Sequence, residues 1–377
     1  MLVRIIAVFI SLLLGTLTCQ PEGGQLMEYD RYTLQAYMTP VWEGGVVYNE
    51  TVMFVDNADG SVDPAPLLYE PSEILSVRSF DLLTEYQPGI DYTVENGRIA
   101  LTLCSRIHRW AYSDYYPAHA IPGATFEKTG GGYIAFGEGD TFFKTQIAVT
   151  YRHKGRWNGV KPVFAGELKN TLRKLRTGEK VTIVYYGDSI TTGANSSNTQ
   201  APFVPIWTRL VTAKLSDSYP KSSIEQINTA VGGTNAKWGC QNAQRLVAAY
   251  RPDLTVIAFG MNDAGTPAVS YAASILGIIE QTRRSNPEAE FILVSPMLPN
   301  REVSGFYGNQ YRFEKVLSCI ADLEQGIAAV PVWSMHKYML ESKRYYDMTG
   351  NNVNHPNDFL ARVYAQAVSA LLVCDNQ

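Results

Sequence analysis

The stretch Val181-Thr182-Ile183-Val184-Tyr185-Tyr186-Gly187-Asp188-Ser189-Ile190-Thr191 decides how this chain is read. Val181 to Tyr186 form an unbroken strand-like run, the pattern of a strand buried on both faces of a parallel sheet. The run stops at Gly187, and a small hydroxyl, Ser189, follows just past the strand's carboxyl end. A nucleophile would be exposed there. Taken alone, Gly-Asp-Ser reads more simply as the N-cap of a helix, so its meaning depends on what surrounds it.

Towards the C-terminus the same grammar repeats. Strand-like runs at Ile224-Thr229, Leu254-Phe259, Phe291-Ser295 and Ala328-Val332 alternate with amphipathic segments, and a last helix is expected from about Asp358 to Val373. Strands alternating with helices mark an α/β fold. We expect a doubly wound, flavodoxin-like parallel sheet of five strands over residues 179–377, with its ligand site at the carboxyl ends of the strands near the switch point.

Towards the N-terminus the grammar differs. Short β-rich runs at Val46-Tyr48, Thr51-Val55, Ile99-Leu103 and Thr145-Thr150 are separated by Asp59-Gly60, Pro88-Gly89, Asn96-Gly97 and Gly130-Gly131-Gly132. These are hairpin and loop signals. They predict an all-β sandwich, jelly-roll-like, over 28–155, joined by a linker at 156–178. Two domains suit a chain of 377 residues, given a prior of roughly 150 residues per domain. At the start, Arg4 precedes the apolar run Ile5 to Leu14. That is a secretory signal pattern, assigned to 1–18, and too short to span a membrane. The expected location is therefore secreted, periplasmic or cell-surface. Cys19 stands where bacterial lipoprotein signals place their lipid acceptor, although Thr16-Leu17-Thr18 is a poor version of the site that precedes it. A lipid anchor at Cys19 stays open.

Composition narrows the partners. Hydrophobic residues make up 46% of the chain and charged residues 18%, a folded, globular balance. The net charge of −4, without any Lys/Arg block, gives no electrostatic footprint for nucleic acid. Besides Cys19, the cysteines are Cys104, Cys240, Cys319 and Cys374. Their wide spacing speaks against a zinc site and leaves bridges and free thiols equally open. We expect no metal and no cofactor.

Three further blocks complete the pattern. The second α/β strand leads into Asn228-Thr229-Ala230-Val231-Gly232-Gly233-Thr234, the third ends in Gly260-Met261-Asn262-Asp263, and Asn354-His355-Pro356 stands just before the last helix. Gly-Asp-Ser, a Gly-bearing loop, Gly-x-Asn-Asp and a late His, in that order, resemble the four blocks of SGNH (GDSL-like) hydrolases over about half of the chain. The resemblance implies an ester hydrolase in which Ser189 attacks and His355 is its base. The oxyanion hole would be the backbone N–H groups of Ser189 and Gly233 with the side-chain amide of Asn262. The chemistry asks for the same residue types. A Ser hydroxyl needs a base near neutrality, and the carbonyl oxygen that gains charge needs fixed neutral donors. Gly232 is an adjacent alternative to Gly233, although the family spacing favours Gly233. Asp188 and Asp263 neighbour these residues and read as loop organisers.

One position departs from the family. Asp is common three residues before the His, and this chain has Asn352. Asn352 is thus a candidate orienter of His355, although the preferred reading is a Ser–His dyad whose imidazole is held by a backbone carbonyl of the 350–354 loop. Asp347 could serve only if that loop folds back. Exported members with a β-rich part in front resemble carbohydrate esterases, which implies an acetylated carbohydrate substrate, with Trp238 as a candidate sugar platform. The competing readings are a lipid esterase or thioesterase on the same residues and a non-catalytic glycan-binding protein. A phosphate site at Gly232-Gly233-Thr234 is weaker, since no Walker or G-x-G-x-x-G pattern accompanies it.

Overall fold

In the computed structural model, which describes residues 32–374, the five runs become the strands of one parallel sheet. They are β8 (Val181–Gly187), β9 (Ile224–Asn228), β10 (Leu254–Ala258), β11 (Glu290–Val294) and β12 (Ile327–Val330), after seven strands in the N-terminal part. Their spatial order is β12-β11-β10-β8-β9. This is the flavodoxin-like order expected from the sequence. The sheet is covered on both faces, as the alternation of β8 shows. Ile183 and Tyr185 pack in one core with Trp207, Leu210 and Phe359, while Val184 and Tyr186 pack in the other with Ala236, Tyr271 and Phe313. The direction of chain travel reverses between β8 and β10, so the segments that leave these neighbouring strands open a crevice at their carboxyl ends.

The N-terminal part is antiparallel. β1 (Val46–Val52), β7 (Ile147–His153) and β2 (Pro71–Ser79) form a three-stranded sheet in the order β1-β7-β2. Two hairpins, β3 (Tyr92–Glu95) with β4 (Arg98–Leu101) and β5 (Thr125–Glu127) with β6 (Tyr133–Ala135), complete it. Asn96-Gly97 makes the first hairpin turn, with φ of +48° and +73°. The runs expected at 46–48 and 51–55 are largely one strand, whose register shifts between Val47 and Glu50. β2 escaped the sequence reading because it is an edge strand, mostly half-buried, without clean apolar alternation.

The two parts share a core. Val47, Val77 and Tyr151 of the three-stranded sheet lie in the same cluster as Phe359, Tyr364 and Val368 of the C-terminal helix Asp358–Ala370. The expected linker at 156–178 is corrected in its second half. There the helix Lys169–Thr177 buries Leu172 and Leu175, and Glu290 accepts from the first-turn N–H groups of Asn170 and Thr171 at 2.9 and 2.8 Å. The export signal at 1–18 and Cys19 lie outside the described residues. No helix among the described residues is long and apolar enough to cross a membrane. Cys104, Cys240, Cys319 and Cys374 are all free thiols.

Charge is buried where the two parts meet. Lys343 Nζ lies 2.5 Å from Glu50 Oε1 on β1, and both side chains are fully buried. Glu50 also accepts from the Leu68 N–H at 2.8 Å and the Tyr151 hydroxyl at 2.7 Å, while Lys343 donates to the Thr51 carbonyl at 3.0 Å. Removing one partner of such a pair strands the other charge in the core. Lys343→Met is therefore expected to cost about 3–5 kcal/mol of stability, read as a lowered midpoint in thermal or urea unfolding. A midpoint equal to that of the parent chain would show the pair to be dispensable.

Candidate active site

Gly187 ends β8 and must be glycine, since a Cβ there would lie 2.3 Å from Thr191 Oγ1 and 2.5 Å from the Ala258 carbonyl oxygen. The chain then turns into the short helix Ser189–Thr192, capped by Asp188, whose Oδ1 accepts the Ile190 N–H at 3.0 Å. Burial pushes the Asp188 carboxyl up to about 7, and Asp263 nearby adds to the effect. Ser189 occupies the first turn, where helical N–H groups lack intrahelical partners, so its own N–H belongs to the crevice.

His355 arrives from the opposite side on the loop before the last helix. Its Nε2 is 2.8 Å from Ser189 Oγ. The loop is held by Asn351, whose Oδ1 accepts the N–H groups of Val353, Asn354 and His355, each at 3.0 Å. The His355 carbonyl in turn accepts from the Gly350 N–H at 3.0 Å and the Thr349 hydroxyl at 2.9 Å.

Neither the candidate orienter Asn352 nor a backbone carbonyl of the 350–354 loop meets the His355 ring. Asn352 does not reach His355. It sits at φ +67°, fully buried, with its Oδ1 accepting the Tyr115 hydroxyl at 2.9 Å and its Nδ2 donating to the Ala135 carbonyl at 2.8 Å. It ties the loop to the β-rich part. Asp347 is committed elsewhere, to the Met53 N–H at 2.9 Å and the Arg344 guanidinium at 3.1 Å. The atom facing His355 Nδ1 is Asn195 Oδ1, at 2.6 Å, in place of the backbone carbonyl the sequence suggested. Asn195 follows the nucleophile helix, is buried, and adopts φ +60°, a left-handed conformation that Asn tolerates better than most residues.

The polarity of that amide sets the proton on the histidine. Asn195 Nδ2 donates to the Gly139 carbonyl at 3.1 Å. A carbonyl can only accept, so the NH₂ end must face Gly139 and the oxygen must face His355. Nδ1 then carries the imidazole proton, and Nε2 keeps a lone pair for the Ser189 hydroxyl. Glu138, beside Gly139, brings a carboxylate oxygen to 3.8 Å from Nδ1. Burial pushes the His355 pKa below its ordinary 6.5, and the Glu138 charge opposes that shift.

The loops that carry the candidate oxyanion donors are tied to one another and to the nucleophile helix. Gly232 lies against Ser189, since a Cβ on it would sit 3.7 Å from Ser189 Cβ, and Gly233 follows at φ +74°, in open space. Asn228 Nδ2 holds this loop to the nucleophile helix through the Thr191 carbonyl at 2.8 Å. Asn262 Nδ2 donates to the Thr234 carbonyl at 2.9 Å, which spends one amide hydrogen and leaves the other for a ligand. Asp263 braces both loops by accepting the Ala236 N–H and the Thr266 hydroxyl, each at 3.0 Å. Trp238, the candidate sugar platform, is partly buried and packs with Tyr186 at 6.4 Å between ring centroids against the core on that face. His336 is a buried core residue whose Nδ1 accepts the Leu298 N–H at 3.0 Å, and burial holds it at about 3.

Asn195, Glu138 and Gly139 were missed by the sequence reading. Asn195 belongs to the polar run Asn195-Ser196-Ser197-Asn198, which looks like any loop, and Glu138-Gly139 lies some 50 residues upstream of the nucleophile. No spacing rule links them to His355.

Residues 185–362, which include Ser189, Gly233, Asn262 and His355, match the model of the GDSL-like Lipase/Acylhydrolase family. A two-domain esterase active on acetylated mannans is similar in structure over 57% of this chain and 55% of its own, at 20% identity and a TM-score of 0.46. The match thus spans about half of that esterase. An acetylxylan esterase from Geobacillus stearothermophilus is similar over 50% of this chain and 92% of its own, at 17% identity and a TM-score of 0.42. No curated protein matches the chain in sequence.

The two asparagines separate by experiment. Asn195→Ala should lower kcat of the folded protein by roughly 10²-fold, less than the ~10⁴ seen when a charged orienter is neutralised, and, because it strands the Gly139 carbonyl and puts Ala at a positive φ, should also cost about 1–3 kcal/mol of stability. Asn352→Ala leaves the Tyr115 hydroxyl unpaired and should cost about 1–3 kcal/mol of stability, with kcat/KM of the folded protein changed less than tenfold. The opposite assignment of effects would return Asn352 to the role of orienter. For pH, the base must be neutral, and burial favours the neutral ring. The acid limb of kcat/KM should therefore have its midpoint below the ordinary 6.5. A midpoint above that value would show that charge outweighs burial at His355.

Proposed function

We propose that this chain, whose residues 185–362 belong to the GDSL-like lipase/acylhydrolase family, is an exported serine esterase that removes short acyl groups, acetyl above all, from polysaccharide or oligosaccharide. The observation that carries the reading is the 2.8 Å contact of Ser189 Oγ with a His355 Nε2 whose other nitrogen is tied to Asn195. A hydroxyl so placed gives up its proton to the imidazole as it attacks an ester carbonyl. The oxygen that gains charge is received by the N–H groups of Ser189 and Gly233 and by the free amide hydrogen of Asn262, neutral donors that need no reorganisation. His355 then returns the proton to the departing alcohol, leaving an acyl group on Ser189. Water activated by the same imidazole releases the acid. These steps use only this chain's own residues.

The sugar part of the reading rests on the likeness of an exported hydrolase with a β-rich part in front to carbohydrate esterases. It is supported by the rim of the crevice. Glu138 is largely exposed there, with Thr234 and Asn262 half-buried, polar surroundings that suit a hydroxylated alcohol better than a fatty chain.

The test is a substrate panel with two variants. Acetylated xylan, acetylated mannan, acetylated monosaccharides and p-nitrophenyl esters of increasing chain length are assayed with the parent chain, Ser189→Ala and Asn262→Ala. We expect acetyl esters to turn over fastest, Ser189→Ala to be inactive, and Asn262→Ala to lose about 10²–10³ in kcat with little change in KM. Near-parental hydrolysis by Ser189→Ala would overturn the mechanism. Faster turnover of eight-carbon than of acetyl esters would make the protein a lipid esterase.

A further inference from the structure

In a serine–histidine–aspartate triad one carboxylate does two jobs. It fixes the tautomer of the imidazole and stabilises the positive charge that the ring takes on. Asn195 can do only the first here, because its amide oxygen accepts a hydrogen bond but carries no full charge. The neutral neighbours of the ring are Ser189 and Asn195, and the charged group that faces it is Glu138. Glu138 comes from the connection between β6 and β7, outside the 185–362 stretch that matches the hydrolase family.

The connection is shaped to deliver this residue. Gly139 has φ +69°, and the Thr141 hydroxyl donates back to the Glu138 carbonyl at 3.0 Å, closing a tight turn. The turn continues as the Lys144 N–H donates to the Asp140 carbonyl at 3.1 Å. The Lys144 ammonium pairs with the Asp140 carboxylate at 3.6 Å, which keeps that cation on Asp140. Two consecutive residues of the turn then act on one histidine from the same side: the Gly139 carbonyl sets the Asn195 amide at 3.1 Å, and the Glu138 carboxylate stands 3.8 Å from Nδ1.

We propose that the two jobs of the missing triad carboxylate are divided in this protein, Asn195 orienting His355 and Glu138 of the N-terminal β-rich part supplying the negative charge that stabilises its imidazolium. Glu138 is a positioning residue that acts through His355 and touches no reacting atom. The proposal rests on the serine-esterase reading for its kinetic consequence. Its electrostatic core, a carboxylate acting on His355, holds independently of what the enzyme hydrolyses.

The sign follows from the charges. A carboxylate near the ring favours the protonated form, so removing it must lower the His355 pKa and move the acid limb of kcat/KM to lower pH. The shift should be about one pH unit or less, the low end for an opposite charge at this distance, because Glu138 is largely exposed and solvent screens it. The imidazolium formed during attack also loses support, and kcat should fall roughly five- to tenfold.

The experiment compares the full-length parent chain with Glu138→Gln and Glu138→Asp. kcat and KM are followed against pH on an acetyl ester, and the His355 pKa is followed by NMR of the imidazole in the free protein. We expect Glu138→Gln to lower kcat, leave KM nearly unchanged, shift the acid limb downward and lower the NMR pKa, and Glu138→Asp to recover most of each. An unchanged His355 pKa in Glu138→Gln overturns the proposal, whether or not activity falls, because a purely structural turn would slow the enzyme without moving that value. A rise in KM alone also overturns it, by placing Glu138 on the substrate. If the parent chain hydrolyses none of the esters, the functional reading fails and the NMR comparison still decides the role of Glu138.

Discussion

The buried His355 imidazole has Nε2 against Ser189 Oγ and Nδ1 against an amide oxygen, and the polarity of that amide is set from the N-terminal β-rich part, outside residues 185–362. Asn195 presents two chemically different ends. Only the Gly139 carbonyl, 3.1 Å from Nδ2, forces the oxygen towards His355. Reversed, the amide would set NH₂ against the ring, and His355 would offer its lone pair at Nδ1 and its N–H to Ser189, the wrong way round for a base. One hydrogen bond from the β-rich part thus sets which nitrogen of His355 carries the proton and which one faces Ser189 with a lone pair.

That dependence explains why the two parts are joined as they are. The core is continuous from the three-stranded sheet to the last helix, and several polar groups in the seam pair across it. Gln146, just before β7, donates to the Tyr346 and Thr349 carbonyls at 3.0 and 2.9 Å, and Asn357 donates to the Thr51 hydroxyl at 2.8 Å and to Gln146 Oε1 at 3.0 Å. Buried polar groups of this kind are costly unless satisfied, and once satisfied they permit one arrangement rather than many. The buried pair Lys343–Glu50 adds charge to the same seam. Such pairs are weak evidence of net stability, but this one joins β1 to the segment that precedes the His355 loop.

The asparagines around His355 follow from the same need. Asn351, Asn352, Asn354 and Asn357 are all buried, yet none of them contacts the ring. Asn351 organises the turn, Asn352 ties it to Tyr115 and Ala135, and Asn357 caps the last helix by accepting the Leu360 N–H at 3.2 Å. A short side chain with both donor and acceptor suits a loop whose backbone is buried and cannot use water. Asn352 is part of the loop's internal framework, and the amide that meets His355 Nδ1 comes from a different segment, at Asn195.

Much of this was legible in the sequence. Runs such as Leu254–Ala258, buried at every residue, announce a parallel sheet because burial on both faces removes any polar alternation. Motifs directly after such strands are also local: Ser189 follows β8, Gly233 follows β9 and Asn262 follows β10, so strand order and chain direction bring their loops to the carboxyl end of the sheet. The edge strand β2 and the docked helix Lys169–Thr177 were not legible, since neither carries a strong local pattern. Nor was the partner of His355. Asn352 stood at the right spacing, but spacing along a chain says nothing about where a residue at φ +67° turns its side chain. Asn195 lies 160 residues from His355 in sequence, and Glu138 and Gly139 belong to a different part of the fold. Local patterns set the sheet and placed the four motif residues after its strands and before the last helix, while the groups that surround the histidine were decided by tertiary packing, because charge and hydrogen-bond polarity act through space.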